Sequence, residues 1–214
     1  MVNSMRRLFL FAIAIAAGLS PAVVAQAQNP NKLTSAEKKD GWELLFNGRN
    51  LNGWTPRTTS RKDNTGDWKV ENSSIVCPGT GQGWLSSNQA YTNFHLKLQF
   101  RGAEKVNSGV FLRSQPEGQP HQTGFELQIW DYQPAGYNTG SLVGAAKAKP
   151  TKIKADQWND YDITANGNHY LIVLNGQTLL DTDNSQHSSG LIGFQCQPGN
   201  HVEFRDIRIK QLKQ

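Results

Sequence analysis

The 214-residue chain is poor in cysteine, methionine and charge, and it has almost no helical periodicity. Its two cysteines, Cys77 and Cys196, cannot complete a tetrahedral zinc site, and no Cys-x-x-Cys occurs. They stand far apart, and spacing alone leaves open whether they pair, because it does not fix their Cα separation. Charged residues make up only 18% of the chain. The basic ones are scattered rather than gathered in a stripe, which argues against a nucleic-acid partner. No internal repeat is present, and the length suits one domain with a single core. With 20 Gly, 9 Pro and 20 aromatics (6 Trp, 5 Tyr, 9 Phe), the composition excludes a disordered chain, a collagen and a coiled coil.

The longest apolar run, residues 8–19, follows Arg6 and Arg7 and is too short to cross a bilayer comfortably. Small residues then frame Gln26 as Ala25 and Ala27. This is the pattern of a signal peptide over residues 1–27, with cleavage after Ala27 or Ala25. No cysteine follows the run to carry a lipid anchor, so a soluble periplasmic or secreted protein with no membrane partner is expected. Loss of Arg6 and Arg7 leaves 20 basic against 17 acidic side chains and lowers the formal charge from +5 to +3. Residues 28–40 are polar, and Thr34, Ser35 and Glu37 can cap a short helix.

From residue 41 onward the pattern is β. His-Leu-Lys-Leu-Gln-Phe-Arg (95–101) alternates strictly, with Leu96, Leu98 and Phe100 on one face. The same period recurs over 109–113, 125–131, 161–164, 170–174, 191–197 and 202–210, between Gly, Asn, Pro and Asp punctuation. Asn175-Gly176 is the strongest hairpin signal, and Asn166-Gly167 marks a second tight turn. This spacing predicts an all-β, antiparallel two-sheet sandwich or jelly roll over 41–214. Three irregular stretches, 55–67, 114–124 and 132–150, are expected to gather at the rim of one sheet, where long loops commonly carry function.

The strand 125–131 carries the most chemistry. Phe125, Leu127 and Ile129 face the core, so Glu126, Gln128 and Trp130 share the other face. A carboxylate, an amide and an indole in a row suit a sugar subsite; a solvated sheet face is the bland alternative. By alternation Arg113 is expected to point into the same cleft, and Gln195 to join it beside Gly193, whose missing side chain leaves room for a ligand. Asp131, at the strand end, and His121, in a long loop, are second candidates for a base or a metal site. Carboxylate, carbonyl and imidazole ligands are available for a divalent cation, but no spacing defines one.

Gly-Trp-Glu-Leu-Leu-Phe-Asn-Gly-Arg-Asn-Leu-Asn-Gly-Trp (41–54) resembles the opening of the 3-keto-disaccharide hydrolase family. In order follow Asn-Ser-Gly-Val-Phe-Leu-Arg (107–113), Gly-Phe-Glu-Leu-Gln-Ile-Trp-Asp (124–131), Thr-Gly-Ser-Leu (139–142), Gln-Trp-Asn-Asp-Tyr (157–161), Leu-Asn-Gly (174–176), Gly-Leu-Ile-Gly-Phe-Gln (190–195) and Val-Glu-Phe-Arg-Asp-Ile-Arg-Ile-Lys (202–210). The resemblance spans residues 41–210 and implies a concanavalin A-like jelly roll, export, and glycosides oxidised at C3 as substrates. Two departures are Gln-Cys-Gln-Pro-Gly (195–199), where many relatives have a His-containing turn, and Trp130, where a smaller apolar residue is usual.

A conventional glycosidase needs two carboxyl groups flanking the bond. Here the positions alternating with Glu126 are Gln128 and Trp130, so that ladder is broken. A 3-keto sugar needs less, because its ketone acidifies the C2 hydrogen. Glu126 is then expected to act as base, with Arg113 or a divalent cation stabilising the enolate. Asn107, Gln128 and Gln195 position hydroxyls, and Trp130 and Trp84 stack on the ring. The competing reading is a non-catalytic, lectin-like carbohydrate-binding module, for which the same amides and aromatics suffice.

Overall fold

A computed structural model describes residues 30–59 and 65–213. The expected signal peptide, 1–27, lies outside the described residues, as does part of the first long loop. Helix α1 (Ser35–Lys39) begins where the sequence signals it: Thr34 is the N-cap, its Oγ1 accepting from the Glu37 amide at 3.1 Å, while the Thr34 amide donates back to Glu37 Oε2 at 2.8 Å. Among the described residues no helix is long and apolar enough to cross a membrane.

The remainder is two antiparallel sheets. Eight strands form one: β1 (Trp42–Leu44), β3 (Lys69–Glu71), β4 (Ser74–Cys77), β6 (Phe94–Gly102), β9 (Asn159–Asn166), β10 (His169–Leu174), β11 (Gln177–Asp183) and β13 (Val202–Gln211). Their order is β11-β10-β9-β6-β13-β4-β3, with β1 also paired to β13. The second sheet has the order β2-β5-β12-β7-β8, from β2 (Trp54–Arg57), β5 (Gly83–Tyr91), β7 (Ser108–Ser114), β8 (Phe125–Ile129) and β12 (Gly190–Cys196). One apolar core lies between them, where Leu96, Leu98 and Phe100 meet Leu127, Ile129 and Phe194. The strict alternation of β6 appears as alternating burial along the whole strand.

The hairpin at Asn175-Gly176 forms as expected, with both residues at positive φ (51° and 82°) and Leu174 opposite Gln177. The other tight turn sits one residue later than its sequence signal. Asn166 pairs with His169, so Gly167 and Asn168 are the turn residues, and Gly167 takes the positive φ. Trp54–Arg57, assigned from sequence in part to a loop, is an edge strand paired with β5.

Cys77 and Cys196 form a disulfide, with Cα atoms 5.5 Å apart. The bond joins the end of β4 to the end of β12, and so ties one sheet to the other. Its partners are 119 residues apart, a separation at which cross-linking removes much entropy from the unfolded chain. Replacing both cysteines by serine should therefore lower unfolding free energy by about 3–5 kcal/mol, seen as a fall in the urea midpoint, with a steeper slope because the released unfolded chain exposes more surface.

Candidate active site

Glu126 and Gln128 lie on β8, on the face turned away from the core, as the alternation predicts. That face is not solvated. A cleft of about 290 Å³ opens over it, walled by Gln119, Pro120 and His121 around the short helix α2 (Pro120–Thr123), by Gln133 and Val143, and by Gln195 to Gln197. The expected gathering of loops at one rim is what covers the strand. The Thr-Gly-Ser-Leu segment runs along the free edge of β8, where Val143 N–H donates to Glu126 O and Gly140 N–H to Gln128 O, while Gln128 N–H donates to Ser141 O (2.9–3.0 Å). Every residue of β8 is consequently buried.

Glu126 is 6% exposed. Burial pushes its carboxyl up to about 7, against a smaller opposing effect from the Gln195 carboxamide. Its side chain leans over β7 at Gly109: a Cβ there would sit 2.9 Å from both Glu126 Cγ and Oε1. Among the described residues Glu126 is the only carboxylate lining the cleft, and no Lys or Arg lines it. What surrounds it is amide: Gln82, Gln119, Gln128, Gln133, Gln195 and Gln197 all line the cavity, with Asn107 beside them. Trp130 and Phe111 supply aromatic surface.

Of the residues singled out from sequence, Glu126, Gln128, Trp130, Asn107, Gln195 and His121 come together here. His121 lies exposed at the rim, and desolvation lowers its imidazole pKa, so it is neutral at pH 7. Gln128 has its Oε1 engaged by the Ile129 amide at 3.0 Å.

Three expected residues do not take part. Arg113 is wholly buried and points away from the cleft. Its guanidinium donates to the carbonyls of Thr92, Gly167 and His187 and to the Tyr170 hydroxyl. Asp131 is a loop clamp: its carboxylate accepts from Thr139 Oγ1 (2.5 Å) and from the Ile153 amide (3.0 Å). Trp84 is also fully buried, edge-on to Phe111 with ring centroids 5.6 Å apart, so it supports the cleft wall and offers no face to a sugar. The space left by Gly193 belongs to this indole, since a Cβ there would come within 2.5 Å of Trp84 Cε3. Period two fails at Arg113, where a bulge of β7 against β12 and a positive φ (57°) turn the side chain toward Tyr170 of the other sheet.

No three His, Cys, Asp or Glu side chains converge among the described residues. Among the described residues Glu126 and His121 are the only such groups lining the cleft apart from the disulfide-bonded Cys196. That donor set does not fit a divalent cation. Gln82, Gln119 and Gln133 escaped the sequence reading because they sit in turns and loops without periodicity, whereas Gln197 alternates with Gln195 within 191–197 and could have been found from it. A larger cavity, about 470 Å³, lies at Arg101, Val106, Asp156 and Asn200 and contains none of the candidate residues.

Fold and cleft together define a concanavalin A-like jelly-roll sandwich with an amide-rich site. The family model described as the 3-keto-alpha-glucoside-1,2-lyase-like domain matches residues 41–210, and the chain belongs to that family. Its structure resembles a provisionally assigned glycosyl hydrolase of Parabacteroides distasonis ATCC 8503 (TM-score 0.74, 24% identity, covering 86% of this chain and 100% of that one). A second such protein from the same organism aligns at TM-score 0.64 and 22% identity, over 80% and 99% of the two chains. The carbohydrate-binding module CBM66 of Bacillus subtilis aligns at TM-score 0.57 and 16% identity, over 74% and 96%. At these identities the likenesses establish the fold. No curated protein matches the sequence significantly.

Proposed function

We propose that the protein is an exported enzyme that cleaves glycosides already oxidised to a ketone at C3, by elimination followed by hydration. The observation that carries this reading is the solitary carboxylate: a buried Glu126 with a pKa near 7, among amides and without a second acid among the described residues lining the cleft. Displacement at an ordinary acetal needs two carboxyl groups. A 3-keto sugar needs one base with a pKa near the working pH.

Glu126 takes the C2 proton, and the C–H electron pair moves into the C2–C3 bond to leave an enolate on the C3 oxygen. As the ketone re-forms, a C1–C2 double bond develops and the C1 oxygen departs with its bonding electrons. The proton held on Glu126 passes to that oxygen and restores the carboxylate. Water adding across the new double bond makes the net outcome hydrolysis. With Arg113 committed elsewhere, N–H groups of the lining amides, Asn107 among them, and of the His121 ring are available to the enolate oxygen. Trp130 offers a stacking surface to the ring. The Cys77–Cys196 disulfide supports residence in an oxidising compartment.

The test is incubation of the purified protein with methyl 3-keto-α-glucoside and with its unoxidised parent, following release of methanol. Release from the keto substrate alone is expected. Release from the parent would point to a conventional glycosidase, whereas oligosaccharide binding without release from either would make the protein a binding module.

A further inference from the structure

The amides of the cleft are not equivalent. Gln195 is 9% exposed and sits on β12, with β7 intervening between its strand and that of Glu126. Its carboxamide lines the same cleft as the Glu126 carboxylate and favours that group's ionised form, and its Oε1 is buried with no partner among the described residues. A carboxylate only accepts, so that effect comes from Nε2–H. The interaction spans β7 over Gly109, where any side chain would collide with Glu126.

The backbone of Gln195 is equally constrained. Ser108 Oγ donates to its carbonyl at 2.8 Å, and the next residue, Cys196, is held by the disulfide. Gln195 is therefore a fixed amide with one end occupied and the other empty. A buried acceptor without a donor is costly, and in native proteins it calls for an explanation such as a ligand.

We propose that Gln195 bridges base and substrate: Nε2–H holds the Glu126 carboxylate, while Oε1 accepts from the hydroxyl on C2, the carbon whose proton Glu126 removes. This rests on the functional reading above and adds a specificity to it. Hydroxyl and hydrogen share one carbon, so an amide gripping the hydroxyl at one end and the base at the other delivers the C2–H bond to the carboxylate. The hydroxyl itself is not consumed, and a 2-deoxy-3-keto glycoside retains an acidic C2 hydrogen. Gln195 is in this respect a positioning residue for Glu126 and a specificity determinant for substrates that keep an oxygen at C2.

The experiment compares kcat/KM for methyl 3-keto-α-glucoside and its 2-deoxy counterpart, each corrected for its uncatalysed elimination, in wild type, Gln195→Met and Glu126→Gln. Wild type should prefer the hydroxylated substrate by about tenfold or more, the scale of one buried hydrogen bond. Gln195→Met should lose that preference. Its pH–rate profile should move to higher pH, because the lost N–H favours the ionised carboxylate. Wild type without the preference, or Gln195→Met retaining it, would overturn the proposal. If the variant does not fold, the wild-type comparison decides alone. Turnover of neither substrate by wild type, or full activity in Glu126→Gln, would overturn the functional reading and with it the role given to Gln195.

Discussion

Glu126→Gln should lose about 10³-fold in turnover of a 3-keto glycoside and should at the same time be more stable than wild type at pH 8. Both effects come from one burial. Glutamine keeps the shape of the side chain but cannot accept the C2 proton, so the loss should fall on kcat rather than on KM. The stability change follows from linkage. The Glu126 carboxyl titrates near 4.5 when exposed and near 7 when folded. Below pH 4.5 it is protonated in both states and contributes nothing. Between 4.5 and 7 the unfolded chain releases the proton and the folded protein does not, so stability falls as pH rises. Above 7 the deficit is complete, on the order of 3 kcal/mol at about 1.4 kcal/mol per pKa unit.

Glutamine carries no such deficit. Its unfolding midpoint should exceed that of wild type at pH 8, and the difference should vanish at pH 4. Equal midpoints at pH 8 would show that Glu126 is well solvated. In wild type, kcat/KM should rise with pH through about 7 as the base ionises.

Arg113→Met should be among the most destabilising single substitutions in the protein, lowering unfolding free energy by about 3–5 kcal/mol. Arg113 lies on β7, at 0% exposure and with positive φ (57°). No carboxylate is among its hydrogen-bond partners. Its charge is met by the carbonyls of Thr92, Gly167 and His187, by the Tyr170 hydroxyl, and by the Tyr170 ring 5.1 Å away. These groups belong to the β5–β6 turn, the β9–β10 turn and the segment before β12, so one guanidinium fastens three connections to the second sheet. Methionine fills the volume but leaves three carbonyls without their donor.

Arg113→Lys should recover only part of the loss, because an ammonium has three donors and no planar fork. Since Arg113 lies outside the cleft, activity per folded molecule at low temperature should be retained in both variants. A stable but inactive Arg113→Met would return this residue to the chemistry.

Much of this site was legible in the sequence because a strand has period two. Phe125, Leu127 and Ile129 had to face one way and Glu126, Gln128 and Trp130 the other, and the structure agrees. The same rule misled at Arg113. Alternation assumes an unbroken ladder, and at the end of β7 a bulge against β12 and a positive φ carry the Arg113 side chain to Tyr170 of the other sheet. Strand β5 escaped detection because Ser86 and Ser87 interrupt its apolar pattern. Both are buried, Ser86 accepting from Arg57 Nε and Ser87 from the Ile192 amide (2.8 and 3.0 Å). The hairpin between β3 and β4 escaped for another reason: its turn puts Asn72 and Ser73 at positive φ (48° and 59°), and serine is not a residue from which that conformation is expected.

By itself the sequence determined the class of fold, the hairpin at Asn175-Gly176, the capped helix and the face on which Glu126 stands, since all of these follow from local propensity and short-range periodicity. It also determined that Glu126 has no second acid at the alternating positions of its own strand. Only the tertiary structure decided that the two cysteines meet, that Arg113 and Asp131 serve as clamps, and that Gly109 opens a passage from Glu126 to Gln195. Those outcomes depend on which strands become neighbours, and sheet pairing joins residues far apart in the chain. The raised pKa of Glu126 belongs with them, because it arises from loops closing over a strand that its own sequence would have left half in water.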